Sequence, residues 1–188
     1  MDIVEACTVL YTSTMNILHI DSCALGDHSA SRMATAAALA ALTEANQQAT
    51  VLYRDLAATP LSHASGPLLQ VINQRWNSSI PMNAELSAEA LQSASLQQEF
   101  QDADVVVIGA PMHNFSMPSP LKAWMDRLIG MRPTDRRVLL ITSGCLEKDA
   151  PQYQFIDHHE TLLKAAFQFM GVSQLSVMRD PAALRAAL

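Results

Sequence analysis

The chain has 188 residues, 49% of them hydrophobic and 16% charged, a length and composition that predict one domain with a sizeable core. Its formal net charge of −6, with lysines and arginines scattered rather than gathered in a stripe, argues against nucleic acid as the main partner. No run reaches the ~20 apolar residues that a membrane helix needs. The three cysteines, Cys7, Cys23 and Cys145, show no metal-type spacing and fit a reducing, cytoplasmic setting.

Residues Met1 to Thr14 mix apolar and polar types without a basic segment, so they read as a loose extension or a misplaced start rather than a targeting peptide. The domain is expected over residues 15–188. Asn16 to Asp21 (NILHID) reads as a first strand ending in an acidic residue and a loop of small residues. Ser29 then precedes Ala30 to Ala45, an alanine- and leucine-rich stretch with strong helical propensity. Thr50 to Tyr53 is a second strand by its β-branched and aromatic content. Leu56 to Asn83 contains three prolines and no steady period, and is expected to be partly helical. Ser87 to Gln101 has helical spacing with a start near Ser87. Asp104 to Ala110 (DVVVIGA) is apolar on both alternating faces, as only a strand covered on both sides is. Pro118 to Ile129 is a further helix, Arg137 to Thr142 (RVLLIT) a fourth strand, and Phe155 to Met170 a last helix stopped at Gly171. A weaker fifth strand lies near Gln174 to Met178. Strands alternating with helices imply right-handed β-α-β units and a doubly wound parallel α/β sheet.

In such a sheet ligands sit beyond the carboxyl ends of the strands, where strand order reverses. The loop after the first strand, Ser22 to Arg32, is neither a G-x-G-x-x-G turn nor a Walker loop. It is rich in hydroxyls and runs into a helix N-terminus, where free N–H groups and the helix dipole favour a phosphate. Ser29 and Ser31 add hydroxyl donors. Ser29 also reads as a simple helix cap, and one residue can do both. A monophosphate held by hydroxyls and amides suits FMN better than a dinucleotide. After the third strand, Met112, His113, Asn114 and Phe115 offer an apolar surface and amide donors of the kind a flavin ring needs; the plainer reading is an ordinary loop with some buried apolar side chains. After the fourth strand, Ser143-Gly144-Cys145 is small enough for close backbone approach to a ligand. The adjacent pair His158 and His159 makes a poor metal site and reads as exposed or at an interface. Arg54-Asp55 suggests ribose binding only weakly, because the accompanying glycines are missing.

These residues resemble the FMN-dependent NADH-azoreductases, also described as NADH:quinone reductases, from Met15 to about Val172. The resemblance rests on ILHIDSCALGDHSASR (Ile17 to Arg32), YRDLAATPL (Tyr53 to Leu61), GAPMHNFSMPSPLKAWMDR (Gly109 to Arg127), LLITSG (Leu139 to Gly144) and LLKAAFQFMGV (Leu162 to Val172). Its most specific element is P-M-x-N-F. It implies a flavodoxin-like sheet in the order 2-1-3-4-5. It places the phosphate loop on Cys23, Ser29, Ala30 and Ser31, the flavin ring on Met112, His113, Asn114 and Phe115, and a further contact on Ser143 and Gly144. It also implies a homodimer and a ping-pong reaction in which NADH reduces the bound FMN and leaves before a quinone or azo acceptor arrives. No side chain need act as acid or base, since the cofactor carries the redox chemistry.

The chain departs from the family's pattern in several places. Cys23 stands where serine is usual, and a thiol is the weaker donor, so looser FMN binding is expected. Ala30 replaces a bulkier polar residue, and His113 stands where tyrosine is frequent. The segment from Met125 to Arg137 is shortened where relatives carry a hairpin over the flavin, and the segment at Gly144-Cys145 is one residue short. The shortening motivates an alternative, a non-catalytic FMN-binding electron carrier or degenerate paralogue. A hydrolase on the same scaffold is a weaker third reading, with no nucleophile–base pair in view.

Overall fold

The computed structural model describes residues 14–73, 80–143 and 158–179. Within them run five strands, β1 (Asn16–Asp21), β2 (Thr50–Asp55), β3 (Val105–Pro111), β4 (Thr134–Ser143) and β5 (Val172–Met178). The helices are α1 (Ala30–Ala45), α2 (Gly66–Asn73), α3 (Ala84–Asp102), α4 (Ser119–Leu128) and α5 (His159–Phe169). The strands form one all-parallel sheet in the order β2-β1-β3-β4-β5, the flavodoxin-like arrangement, in which winding reverses between β1 and β3.

Alternation along the strands builds the two cores. Val106, Ile108 and Ala110 of β3 join Leu18, Ile20, Val138 and Leu140 against Leu96 and Phe100 of α3, Trp124 of α4 and Phe167 of α5. Val105 and Val107 join Ile17, Leu139 and Ile141 against Ala34, Ala38 and Leu42 of α1. Those three α1 positions recur every fourth residue and so form one stripe, and the two alanines let the helix lie close to the sheet. Every residue of β3 is buried, which is why that segment reads as apolar throughout. Phe100 joins the other helical layer together, its ring 6.1 Å from Trp124 and 6.4 Å from Phe167.

Some boundaries differ from those expected. α3 begins at Ala84, because the side chain of Asn83 accepts from Leu86 N (2.8 Å) and caps it; Ser87 lies inside the helix. β4 begins three residues before Arg137, with Thr134 pairing Val172 and an irregularity in register before Arg137. α5 is described from His159; residues 155–157 lie outside the described part. Gly171 does end it, at φ +83 and with its N–H donating to Gln168 O. A Cβ there would come within 2.7 Å of Pro133.

Register leaves a step at the carboxyl edge. Asp21, the last residue of β1, pairs with Gly109, while β3 and β4 run on together to Pro111 and Ser143. The chain leaving β1 therefore lies beside the projecting end of β3, and Ser22 Oγ donates to Gly109 O at 2.7 Å.

Candidate functional site

The first-strand loop enters α1 through Ser29. Its Oγ accepts from Arg32 N at 3.2 Å, so the capping reading holds. The same Oγ lies 2.9 Å from Ser31 Oγ, and both serines are buried. The amides of Ala30 and Ser31 occupy the first turn, where no helical carbonyl precedes them to accept their protons. Two hydroxyls and two such amides form a donor cluster suited to an anion.

Behind this cluster lies a polar network that the sequence reading did not foresee. Arg32 donates from Nε and Nη2 to Cys23 O (3.2 and 2.9 Å) and pairs with both carboxylate oxygens of Asp55 (2.8 and 2.7 Å). Buried Asp21 accepts from Thr35 Oγ1 at 2.8 Å and from Tyr53 Oη at 3.1 Å, with His19 Nε2 at 3.5 Å. The Arg32 hydrogen bond holds the Asp55 carboxyl below the usual carboxylate range, reinforced by N–H donors from Ala57 and Ala58. The same pair holds the Arg32 guanidinium above its ordinary value. Burial, with Asp21 adding to it, pushes the Tyr53 phenol up. The neighbouring parallel strands β1 and β2 both end in aspartate, although the sequence reading places the end of β2 at Tyr53. Their like charges demand a cation, and Arg32 supplies it.

The third-strand loop closes as a two-residue turn. His113 N donates to Ser116 O (2.7 Å) and Ser116 N to His113 O (3.1 Å), while Asn114 and Phe115 both take positive φ, +49 and +68. Asparagine tolerates that region; a phenylalanine there is a genuine outlier, and such strain concentrates at functional sites. The Phe115 side chain is nevertheless 59% exposed, so burial does not account for it. Met112 N donates to Ser143 O at 2.8 Å, which ties the end of β3 to the end of β4. Cys23 Sγ lies 3.8 Å from His113 Nε2, which ties the first loop to the third.

Of the expected site residues, the structure thus links Cys23 with His113, Met112 with Ser143, and Ser29 with Ser31. Gly144 lies outside the described residues. His159, expected to be exposed or at an interface, is instead fully buried, and its Nε2–H donates to Ala110 O at 2.8 Å, which pins the start of α5 to the end of β3. Arg54 pairs with Glu99 and Asp55 with Arg32, so both are engaged within the fold. Among the described residues no group of three His, Cys, Asp or Glu side chains is placed to hold a metal ion, and no helix is long and apolar enough to cross a membrane. The donors present fit FMN: a hydroxyl and amide cluster for a phosphate monoester, and at the other end a strained turn carrying an exposed aromatic side chain.

Residues 15–183 match the family described as having the flavodoxin-like fold. An FMN-dependent NADH:quinone oxidoreductase of Methylocella silvestris is 38% identical over 179 residues, covering 88% of this chain and 86% of its own. A protein of Bradyrhizobium diazoefficiens described as FMN-dependent NADH:quinone oxidoreductase 2 is 40% identical over 174 residues, covering 85% of this chain and 83% of its own. Among solved structures, an FMN-dependent NADH-azoreductase from Bacillus anthracis in complex with FMN superposes with a TM-score of 0.72 at 21% identity, covering 92% and 93% of the two chains. Similarity to the quinone oxidoreductases spans most of both chains, and on that ground the chain belongs to the flavodoxin-like family of FMN-dependent NADH:quinone oxidoreductases.

Proposed function

We propose that this protein binds FMN at the carboxyl ends of β1, β3 and β4 and uses it to pass electrons from NADH to quinones and aromatic azo compounds. The observation that carries the reading is the turn at Asn114 and Phe115, whose positive φ angles hold an exposed aromatic ring beside loops otherwise closed by hydrogen bonds. The Ser29, Ala30 and Ser31 donors would hold the phosphate, with Cys23 at the loop's base. Met112, His113, Asn114 and Phe115 would hold the ring, with Ser143 and Gly144 as a further contact. FMN would supply the two-electron chemistry; the chain's own residues bind, orient and shield it.

The relatives named above support NADH as donor and a quinone as acceptor. The azo acceptor rests on resemblance and on the name of a structural neighbour. We read the order as ping-pong, with NADH leaving before the acceptor enters, in a cytoplasmic homodimer. Parallel double-reciprocal plots and sedimentation velocity test those two points. The connection from Leu128 to Thr134 is short, so no hairpin from this segment covers the site, and acceptors larger than simple quinones should gain access.

The decisive experiment is an anaerobic NADH titration of the FMN-reconstituted protein. Bleaching of the bound flavin, followed by return of its colour on adding a quinone, is expected. A bound flavin that stays oxidised would refute the dehydrogenase reading and favour a carrier. For the site itself, Ser31→Ala and Asn114→Ala should each lower FMN affinity about fivefold, the worth of one neutral hydrogen bond. Unchanged affinity in both variants would remove the assignment.

A further inference from the structure

The proposed function leaves one side chain unused on which the first-strand loop depends. Arg32 stands one residue beyond Ser31, and its main-chain N–H is the donor that Ser29 Oγ caps. Its guanidinium is largely buried and fully engaged. Nε and Nη2 grip Cys23 O, while Nη2 and Nη1 grip the two oxygens of Asp55. Nη1 also meets Tyr53 Oη at 3.1 Å. Tyr53 in turn donates to Asp21 Oδ2, and Arg32 Nη1 lies 3.8 Å from the same oxygen.

A guanidinium holds its five N–H groups in one rigid plane. Gripping a carbonyl on one edge and a carboxylate on the next therefore fixes the direction of the Cys23 carbonyl relative to β2. The Cys23 carbonyl and the Ala24 N–H belong to one planar trans peptide and point opposite ways. Drawing the carbonyl into the clamp thus turns the Ala24 N–H away from it and removes a partial negative charge from the path of an anion. The charge of Arg32 is already matched by Asp55, with Asp21 close by, so this guanidinium is poorly placed to serve as the anion's counter-ion. Its contribution is orientation.

We propose that Arg32 is a positioning residue for the phosphate of FMN. By clamping the Cys23 carbonyl to Asp55 it aims the first-strand loop, and so it sets the preference for FMN over unphosphorylated riboflavin; this rests on the FMN reading given above. The clamp meets the Met112 to Phe115 end only through the 3.8 Å contact of Cys23 Sγ with His113 Nε2, so that end serves both flavins nearly alike.

Titration of the wild type, Arg32→Lys and Arg32→Ala with FMN and with riboflavin, followed by quenching of flavin fluorescence, tests the proposal, with a thermal melt by circular dichroism on each protein. Lysine keeps the charge and loses the fork. Arg32→Lys is therefore expected to bind FMN about tenfold more weakly, the worth of a charge-assisted hydrogen bond, with its riboflavin affinity within about twofold of wild type, since that ligand lacks the phosphate. Arg32→Ala should show the same loss or a larger one. A clamp that merely braced β2 would lower the melting temperature and leave the FMN-to-riboflavin ratio at its wild-type value, and that result overturns the proposal. Arg32→Lys decides the matter if Arg32→Ala does not fold. A wild type that takes up neither flavin overturns the FMN reading and this proposal with it, whereas a wild type that binds FMN beside an Arg32→Lys variant with an unaltered ratio overturns this proposal alone.

Discussion

Around Ser29 and Ser31 the chain is tied down by side chains, whereas around Asn114 and Phe115 it is tied by its own backbone. At the first end two buried hydroxyls bond to each other, while two carboxylates, a phenol and a guanidinium interlock behind them and hold the loop at Cys23 O. At the second, main-chain bonds from His113, Ser116 and Met112 hold a turn whose aromatic residue points largely into solvent. The difference suits two tasks. A phosphate is small, charged and the same in every turnover, so its seat gains from being preorganised. On the function proposed above, the ring end would have to admit and release both donor and acceptor, and a turn held by few bonds can do so.

Gly109→Ala should break the first end most severely. A Cβ at this position would stand 2.9 Å from Asp21 Oδ1 and 3.1 Å from Thr35 Cγ2, both buried and both part of the network behind the phosphate loop. β3 is pinned on either side by β1 and β4, so it cannot retreat. A loss of about 1–3 kcal/mol in urea unfolding is expected, as for other overpacked cores, together with weaker FMN binding. A change under about 0.5 kcal/mol, the range of an innocuous surface substitution, would show that the network yields easily and is not the rigid seat described.

The ring end should respond in the opposite sense. Phe115 occupies the second central position of its turn, where glycine is the preferred partner for a preceding asparagine. Phe115→Gly removes a Cβ from the left-handed region and is expected to raise stability by about 1 kcal/mol. The ring it deletes is mostly exposed, so little burial is lost. FMN retention after desalting should fall at the same time. A less stable Phe115→Gly would refute the strain; a more stable one with full FMN retention would show that the strain serves something other than the flavin.

How far each end could be read from the sequence follows from the same contrast. β1 and α1 fall where expected, at Asn16–Asp21 and Ala30–Ala45, because a local apolar pattern and a serine cap define them. The start of β4 was hidden because Thr134-Asp135-Arg136 is polar. It joins the sheet through an irregular register, with Arg136 reaching across to Asp104. The start of α3 was hidden because Asn83 caps as well as a serine does. The Met112 to Phe115 turn is contiguous and could be singled out as a unit, although its positive φ angles could not. The clamp was invisible for a different reason. Arg32, Tyr53 and Asp55 are distant in sequence, and only the parallel register that sets His19 beside Tyr53 and Asp21 beside Asp55 brings them together. The burial of His159 was missed because an adjacent histidine pair gives no sign of which ring turns inward.

The smallest expected effect is one of pH, and it also separates the two ends. The Arg32 hydrogen bond lowers the folded-state pKa of Asp55. A carboxyl with a depressed folded value contributes stability that is complete above its unfolded value, about 3.9, and that is lost as pH falls through the lower folded one. Protonation of Asp55 should therefore loosen the clamp in acid and leave it intact at neutral pH. Glu89 and Glu160 are also held low, Glu89 because Ser65 and Arg127 outweigh its burial and Glu160 by Arg179. They contribute to acid destabilisation as well, so wild type alone cannot isolate Asp55. Asp55→Asn can, because the asparagine oxygen still accepts from Ala57 and Ala58 while the charge is gone. Unfolding free energies of the two proteins, measured from about pH 6 down to the lowest pH at which both still fold, should differ by about 1 kcal/mol or less above the ordinary aspartate value, as part-exposed ion pairs do, and converge only below it. Glu89 and Glu160 cancel in that difference. Curves that stay parallel into acid would mean that the Asp55 charge adds nothing to the clamp, and that Arg32 is held by geometry alone.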